Sequence, residues 1–359
     1  MLIPTRVKAV VGIVLAAAAL AACVPSLPGR PATLDQLGVR NGADWLEKSL
    51  FYEEAQLGSV TQVVRRGDGG EIVVVGTQGA AFLTPKRTPR RLVVFAERAG
   101  RAELLEWQAG EPRFLDSGGG GWQTGALLSP DGERLWQPSA GVGMNDLSAG
   151  DVDGDGVPEL AVGYNGSGGI RLYDASGAQR WAEIDGNVWH VEIVDTDGDG
   201  KPEILHSNAS GELTRRDASG KVLGRKGVEP YLSQFSVVEW PPSRMGLLHS
   251  VDDGTNVLEF DGAIRTHLKT PDTSALSDAV GAVTRLGGEN HLVIASTSAS
   301  WDRTQIFVFD EKGALRFREV APAECATIAT PEENSFLLGC GSRVLRYART
   351  TTGAAKDKR

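Results

Sequence analysis

The chain is poor in the side chains that most often build catalytic and metal centres. Its 359 residues include three cysteines, three methionines and five histidines. It contains no His-Glu-x-x-His, Cys-x-x-Cys or Gly-x-Ser-x-Gly pattern, so the common zinc, redox and nucleophile motifs are missing. We therefore predict no catalytic residue and expect a protein that is not an enzyme. The histidines, each isolated in the sequence, are His190, His206, His249, His267 and His291.

Long apolar runs are also scarce, and the clearest one lies at the N-terminus. Arg6 and Lys8 precede an Ala-rich stretch from Ala9 to Ala22, which is too short to span a bilayer. A basic start followed by such a stretch is typical of a secretory signal peptide. We place this signal peptide at residues 1–22.

The end of this stretch, Leu20-Ala-Ala-Cys23, resembles the bacterial lipobox, in which cleavage precedes a cysteine that becomes acylated. The resemblance implies a lipid anchor on Cys23, with the membrane as a partner, and three acyl chains would hold the protein stably. By similarity to Gram-negative sorting, Val24 favours the outer membrane of the bacterial cell envelope. The alternative is a non-lipoprotein signal peptide with an incidental cysteine.

Composition indicates three further segments after the signal peptide. Residues 23–40 are rich in proline and predict an extended tether, residues 41–349 predict one domain, and residues 350–359 predict a disordered tail. Removing the signal peptide deletes Arg6 and Lys8 and moves the formal net charge from −9 to −11. An acidic protein of this kind argues against nucleic acid as a partner. We expect a monomer.

Acidic residues, in contrast, are concentrated in two matching stretches. Acidic loop 1 is Asp151-Val-Asp-Gly-Asp-Gly-Val-Pro-Glu159, and acidic loop 2, which begins 44 residues later, is Asp195-Thr-Asp-Gly-Asp-Gly-Lys-Pro-Glu203. Ca²⁺ takes about six to eight oxygen ligands, which a short loop with carboxylates at positions 1, 3, 5 and 9 can supply. Glycines in both loops permit the tight turn that surrounds an ion. Ordinary Asp/Gly-rich hairpin turns are the alternative.

Neither loop is an EF-hand. That motif needs a bidentate Glu at position 12 of a helix-flanked loop, and the residues there are Val162 and His206. Strand-like segments follow instead, Glu-Leu-Ala-Val-Gly-Tyr164 after one loop and Glu-Ile-Leu-His-Ser-Asn208 after the other. The loops are therefore predicted to join β-strands.

The repeated pattern resembles the FG-GAP or VCBS family, the repeat of integrin-like β-propellers. The resemblance implies two Ca²⁺ ions. It assigns one to Asp151, Asp153, Asp155, the Val157 carbonyl and Glu159, and the other to Asp195, Asp197, Asp199, the Lys201 carbonyl and Glu203. A weaker similarity to quinoprotein-like propellers lies in strand–turn–Trp segments such as Leu172 to Trp181.

A period near 44 residues extends over the whole domain. Apolar strand starts recur at intervals of 43 to 45 residues, at Val60, Leu104, Leu147, Val191, Phe235, Val280 and Cys325. Such a period indicates a propeller or solenoid, and each unit has segments for four strands. We predict an all-β, seven-bladed β-propeller of four-stranded antiparallel blades, with calcium in blades 3 and 4.

The last blade lacks a segment for its fourth strand. Counting back from Val60 places a candidate at Ser49 to Glu53, which would close the ring and cover an exposed sheet edge. The competing prediction is a short helix from Trp45 to Glu54, because its Leu, Glu and Lys residues favour helix.

Two cysteines remain after the signal peptide, Cys325 and Cys340. If Pro331 to Asn334 is a four-residue hairpin loop, Thr330 faces Ser335 and the cysteines face each other. Directly opposed residues in an antiparallel pair are within disulfide reach, and disulfides persist in the envelope. A disulfide is predicted, and two buried thiols are the alternative.

Propeller geometry also indicates where a partner would bind. Loops between blades share one face, and the acidic loops lie on the other. The first face would gather Asn145, Asn187, Trp189, His190, Tyr231, Trp301, Asp302 and Arg303. We predict a non-catalytic, calcium-binding envelope lipoprotein that presents this face to a protein or glycan. The alternatives are an outer-membrane assembly scaffold and a propeller enzyme such as a polysaccharide lyase or quinoprotein dehydrogenase.

Overall fold

A computed structural model describes residues 45–67, 70–107, 110–118, 125–138, 141–270, 273, 277–297, 304–321 and 323–350. Within these ranges the chain forms seven antiparallel sheets of four strands each. An apolar cluster joins each sheet to the next, and one of these clusters joins the last sheet to the first. The domain is therefore a seven-bladed β-propeller, and the predicted fold class is confirmed. Cys23, Trp301, Asp302 and Arg303 lie outside the described residues.

The strands are numbered in chain order. Blades 1 and 2 contain β2 (Val60–Arg66), β3 (Glu71–Gly76), β4 (Gly79–Leu83), β5 (Pro89–Val94), β6 (Ala102–Glu106), β7 (Pro112–Asp116), β8 (Ala126–Leu128) and β9 (Arg134–Trp136). Blades 3 and 4 contain β10 (Met144–Gly150), β11 (Glu159–Tyr164), β12 (Ile170–Tyr173), β13 (Gln179–Glu183), β14 (Val188–Val194), β15 (Glu203–Asn208), β16 (Glu212–Arg216) and β17 (Val222–Gly227).

Blades 5 and 6 contain β18 (Ser236–Glu239), β19 (Met245–Val251), β20 (Gly254–Leu258), β21 (Ile264–Leu268), β22 (Asp278–Leu286), β23 (Glu289–Thr297), β24 (Thr304–Asp310) and β25 (Leu315–Val320). Blade 7 contains β26 (Cys325–Ala329), β27 (Ser335–Cys340), β28 (Arg343–Arg349) and the N-terminal strand β1 (Leu46–Glu53). A three-residue 3₁₀ helix, Ala55–Leu57, follows β1. No helix among the described residues is long and apolar enough to cross a bilayer.

Burial follows the position of each strand within its blade. The second strands β11 and β15 are buried at every residue, because neighbouring blades cover both faces of the sheet. The outermost strand β17 is exposed at every residue, including the apolar Val222 and Leu223. Seven separate apolar clusters result, one between each pair of consecutive blades. The ring therefore buries its apolar residues between blades and not around one central core.

Polar side chains on the first strands also join neighbouring blades. The Gln62 amide oxygen of blade 1 accepts the Leu104 N–H of blade 2 at 2.8 Å. The Asp146 carboxylate of blade 3 accepts the Val191 N–H of blade 4 at 2.9 Å. These bonds satisfy backbone groups near the axis, which would otherwise have no strand partner.

The N-terminal segment is a strand and not a helix. Its strand β1 pairs antiparallel with β28, with Leu46 opposite Arg349 and Glu53 opposite Arg343. The predicted strand at Ser49 to Glu53 is thus confirmed and begins three residues earlier. The helix alternative is wrong, because the edge of β28 supplies backbone partners that outweigh local helix propensity.

The predicted disulfide is present, with Cys325 opposite Cys340 and a Cα–Cα distance of 4.0 Å. The register predicted at the hairpin is wrong by one residue. Ala329 pairs with Leu337, where a four-residue loop would pair it with Phe336. A bulge between Cys325 and Thr327 absorbs the extra residue and restores the pairing of the cysteines.

The ring has two distinct faces. We call the side on which the first strand of each blade begins the well face, and the side on which it ends the loop face. Acidic loop 1 joins the end of β10 to β11, and acidic loop 2 joins the end of β14 to β15, so both lie on the loop face.

Candidate functional site

Acidic loop 1 is organised by its own carboxylates. Asp151 accepts the backbone N–H groups of Gly154 at 2.7 Å and Gly156 at 2.8 Å. The two glycines have φ values of +80° and +84°, a conformation that side chains with a Cβ rarely adopt. Glu159, which begins β11, is buried and accepts the Val152 N–H at 3.1 Å. The glycines thus wrap the backbone around Asp151.

Acidic loop 2 repeats this arrangement. Asp195 accepts the N–H groups of Gly198 at 2.7 Å and Gly200 at 2.9 Å, and these glycines have φ values of +79° and +85°. The buried Glu203 accepts the Thr196 N–H at 2.9 Å. Two loops of different flanking sequence therefore adopt the same hydrogen-bonded turn.

Each loop brings three of its predicted ligands together. Ligand oxygens of Asp151, Asp153 and Glu159 all lie within 4.8 Å of one another, as do those of Asp195, Asp197 and Asp199 in the other loop. Asp155 and Glu203 belong to neither group. Asp155 accepts the Val157 N–H at 2.8 Å. Asp199, at the same position of acidic loop 2, accepts the Lys201 N–H at the same distance. The predicted ligand sets are therefore gathered in part.

A cation of the protein itself lies against acidic loop 1. Arg180, on β13, places Nη1 2.5 Å from Asp153 Oδ2 and Nη2 3.0 Å from Glu159 Oε1. The hydrogen bond from Arg180 lowers the pKa of Asp153. Arg180 is the extra residue of a β-bulge where β13 pairs with β12. At the equivalent bulge of β17 the extra residue is Leu223, so the outermost strand of blade 4 brings no guanidinium to acidic loop 2. The guanidinium shows that these carboxylates attract a positive charge. Their oxygen atoms are the type of ligand that a hard metal ion such as Ca²⁺ takes.

The well face contains the second candidate site, a cavity of about 530 Å³ near the axis, which we call the axial well. All seven blades contribute to its wall, mostly through the first residues of their first strands. Hydroxyl and amide side chains are frequent in this wall, among them Ser59, Thr61, Gln234 and Ser236. Such a concave, polar surface is suited to a polar small ligand.

Charged side chains from different blades also converge there. Asp146 comes from blade 3, His190 and Glu192 from blade 4, and Asp278 from blade 6. Arg101, which immediately precedes β6 of blade 2, has solvent access from the well although protein surrounds it. Ionisable groups gathered in one cavity mark a candidate functional site.

His190 is the most deeply buried of these groups. Its Nδ1 lies 2.6 Å from Asp146 Oδ2, and its Nε2 lies 3.5 Å from Glu192 Oε1. Burial opposes the charged form, but Asp146 and Glu192 outweigh it and raise the pKa of His190 to about 10. His190 is therefore an imidazolium at neutral pH and cannot act as a general base there.

Glu103, on β6, does not line the well, but its charge interacts with Arg101 and His190 in the wall, and its pKa lies near neutrality. Burial raises the pKa of Glu103 to about 7, although Arg101 acts in the opposite direction. A carboxyl with such a pKa can both accept and release a proton at neutral pH.

The residues predicted for a partner face have different positions. Asn145 is only 2% exposed, and its amide donates to Asn187 and to the Val188 carbonyl, both at 2.7 Å, which joins blades 3 and 4. Tyr231 is 40% exposed. Of the described members, Asn145 and His190 line the axial well. The partner face stays a prediction.

Sequence reasoning missed Arg101, Glu103, Asp146, Glu192 and Asp278. They are spread over blades 2, 3, 4 and 6, and no local motif contains them. The usable signal was their position, because each lies within a few residues of a predicted strand start. Charged residues at equivalent places in several blades of a ring must approach one another.

Comparison with a family model places the acidic loops in a known repeat. Residues 151–206 match the FG-GAP-like repeat. The match begins at Asp151 and ends at His206, so it covers both loops and the strands between them. The chain therefore carries FG-GAP-like sequence within its seven-bladed propeller.

One curated relative is rhamnogalacturonan endolyase YesW of Bacillus subtilis (strain 168). It is 32% identical over 117 residues, which cover 27% of this chain and 18% of the lyase. The chain thus spans less than a fifth of that relative's length.

Solved structures share the fold. BBS1N in complex with ARL6DN, soaked with mercury, aligns with a TM-score of 0.58 and 13% identity, over 88% of this chain and 99% of that one. A catalytically inactive variant of virginiamycin B lyase from Staphylococcus aureus, with quinupristin, aligns with a TM-score of 0.59 and 11% identity, over 84% and 99%. At these identities the likeness shows the propeller fold alone.

Proposed function

We propose that this protein is a calcium-stabilised lipoprotein of the bacterial envelope that binds a saccharide in its axial well without catalysis. The observation that carries the proposal is the well itself. It is about 530 Å³ in volume, and its wall combines hydroxyl, amide and charged side chains. Sugars offer many hydroxyl groups, which such a wall can bind by hydrogen bonds.

The similarity to a lyase that acts on a polysaccharide supports a saccharide as the ligand class. Calcium has a supporting role in this proposal, because both acidic loops lie on the loop face, away from the well. An ion in each loop would hold the first and second strands of blades 3 and 4 together. The lipobox-like segment around Cys23 supplies the membrane anchor.

Two experiments test these parts separately. Isothermal titration calorimetry with neutral, acidic and amine-bearing oligosaccharides should detect binding to the purified domain. A variant that fills the well, Ser250→Phe, should lose that binding, whereas a surface control, Leu223→Phe, should keep it. Failure of every saccharide to bind would refute the saccharide proposal. Replacing Cys23 by Ser should release the protein from membranes, and continued sedimentation with them would refute the anchor.

A lyase is the second candidate, favoured by one observation. Glu103 has a pKa of about 7, which suits a general base that removes a proton next to a sugar carboxylate, provided that the substrate reaches this side chain from the well, whose wall does not include it. The protonated His190 nearby could stabilise the negative charge that develops. A lyase would release an unsaturated sugar, which absorbs ultraviolet light. Absorbance that rises with the native protein but not with Glu103→Gln would favour the enzyme over the non-catalytic binder.

A further inference from the structure

Two acidic side chains face the axial well from neighbouring blades. Asp278 is the first residue of β22 in blade 6, and Glu324 immediately precedes β26 in blade 7. Both side chains are exposed to the well and not packed into an apolar cluster. The wall of the well thus carries two carboxylates at the interface between blades 6 and 7.

These carboxylates differ from the other acidic groups of the well. Asp146 and Glu192 lie beside His190, at 2.6 Å and 3.5 Å. In the part of the chain that the structure describes, by contrast, no cation forms an ion pair with Asp278 or Glu324. Although Asp278 keeps access to solvent, desolvation by the surrounding wall raises its pKa, and the charge of Glu324 raises the pKa further against the effects of His190 and Arg101. Asp278 and Glu324 therefore repel each other, and a cation between them would relieve this repulsion.

A second, independent observation also indicates a ligand in the well. Ser250, in β19 of blade 5, lines the well and is only 4% exposed, yet its hydroxyl has no hydrogen-bond partner within the described ranges. The Asn145 side-chain oxygen, in a residue that is 2% exposed, is likewise without a partner there. Buried polar groups are normally paired with protein, water or a ligand. Neither atom is itself exposed, so each would reach a polar molecule in the well only after a small movement of its side chain.

We propose that the axial well selects saccharides that carry a protonated amine, with the ammonium group placed between Asp278 and Glu324. Ser250 and Asn145 would then bind hydroxyl groups of the same ligand. This inference rests on the proposed saccharide-binding function and narrows its ligand to amino sugars with a free amine.

Charge distinguishes this class from two others. A uronate would bring a third carboxylate towards Asp278 and Glu324, and like charges brought together disfavour binding. A metal ion bound by protein alone is also unsupported, since the groups of three or more clustered metal-ligating side chains in the described residues are the two acidic loops. An ammonium, with three donors and one positive charge, matches two carboxylates and a hydroxyl.

The test compares three oligosaccharides of equal length by calorimetry, at a pH where the amine is protonated. They are a glucosamine oligomer, its fully N-acetylated counterpart and a galacturonate oligomer. The glucosamine oligomer should bind at least about tenfold more tightly than the other two, the effect expected for one charge-assisted hydrogen bond. Asp278→Asn and Glu324→Gln should each remove most of this preference, because they keep the volume and delete the charge. Asp131→Asn, a change at an exposed carboxylate that pairs with Arg91 elsewhere on the ring, is the matched control.

The outcomes separate this inference from the function on which it rests. Preference for the amine that disappears in Asp278→Asn and persists in Asp131→Asn supports it. Equal or tighter binding of the N-acetylated or galacturonate oligomer overturns the charge selection and leaves saccharide binding intact. Binding of none of the three oligomers overturns both. A preference that survives in Asp278→Asn and in Glu324→Gln overturns the placement of the ammonium.

Discussion

Arg180 Nη2 lies 3.0 Å from Glu159 Oε1, so a strand at the rim of blade 3 places a positive charge on acidic loop 1. The same guanidinium contacts Asp153. Asp153 and Glu159 are two of the three residues that the loop gathers as metal ligands. Under the proposed calcium binding, the ion and Arg180 would compete for the same carboxylates in blade 3. Leu223, at the equivalent position in blade 4, has no charge and would not compete.

Removing this competitor should tighten calcium binding to acidic loop 1. In an Asp197→Ala background, which disables acidic loop 2, Arg180→Ala should lower the calcium dissociation constant by about tenfold, or about 1.4 kcal/mol. Calorimetric titration with calcium measures this change. Leu223→Ala in an Asp153→Ala background is the control and should leave loop 2 unaffected. An unchanged affinity for loop 1 would show that Arg180 does not compete.

Chelation should destabilise the propeller. Each site adds about 2.7 kcal/mol to the free energy of unfolding at a calcium concentration of 100 times the dissociation constant. A chelator should therefore lower the melting temperature of the native protein, and Asp153→Ala combined with Asp197→Ala should abolish the response. Equal melting of the native protein with and without calcium would contradict both metal sites.

Asp185 should be important for the stability of the interface between blades 3 and 4. Its carboxylate lies 2.6 Å from Arg216 and from Arg225, and 3.2 Å from His206. Arg216 and His206 are buried, so Asp185→Ala leaves a buried charge without its partner. The expected loss is about 3–5 kcal/mol in the free energy of unfolding, measured by urea denaturation.

Arg225→Ala serves as the control for this network. The Arg225 side chain is 39% exposed, and ion pairs of exposed groups contribute about 0–1 kcal/mol. A loss as large as that of Asp185→Ala would contradict the assignment of the stabilisation to the buried Arg216.

The charge on His190 should make the free energy of unfolding fall as the pH rises into the alkaline range. Its folded-state pKa of about 10 lies above the unfolded value of about 6.5, so the folded protein binds more protons between these values. The contribution is therefore complete below about pH 6.5 and is lost as the pH rises through about 10. Urea denaturation across this range should show a fall in the free energy of unfolding that His190→Asn reduces.

His249→Asn is the matched control for this measurement. Burial lowers the pKa of His249, so this residue is neutral in the folded state over the same range. The pH dependence should persist in this variant. If His190→Asn and His249→Asn behave alike, the charge on His190 does not contribute to the dependence.

The blade register was predictable from the sequence because it repeats. Strand starts at Val60, Leu147 and Val191 fall within the first strands of blades 1, 3 and 4, as the period near 44 residues requires. The acidic loops were predictable because the spacing of the candidate ligands lies within one short loop and occurs twice. Their positive-φ glycines are a direct consequence of that spacing.

The axial well could not be predicted in the same way. Arg101 and Asp278 are 177 positions apart and share no motif, and only closure of the ring brings them into one cavity. Arg180 was missed because its contact with Glu159 crosses the width of a blade. The bulge near Cys325 was missed because the turn length is set by local packing and not by composition.

The direction of β1 has a consequence for how the ring would stand on a membrane. Leu46 pairs with Arg349 at the end of β28, and the Thr350 N–H donates to the Trp45 carbonyl at 3.1 Å, so the chain enters the propeller on the loop face. Under the proposed anchoring, the segment from Cys23 to Trp45 reaches at most roughly 75 Å from that face. The acidic loops would then lie on the face where the tether joins the ring, and the mouth of the axial well would lie on the opposite face, away from the point of attachment.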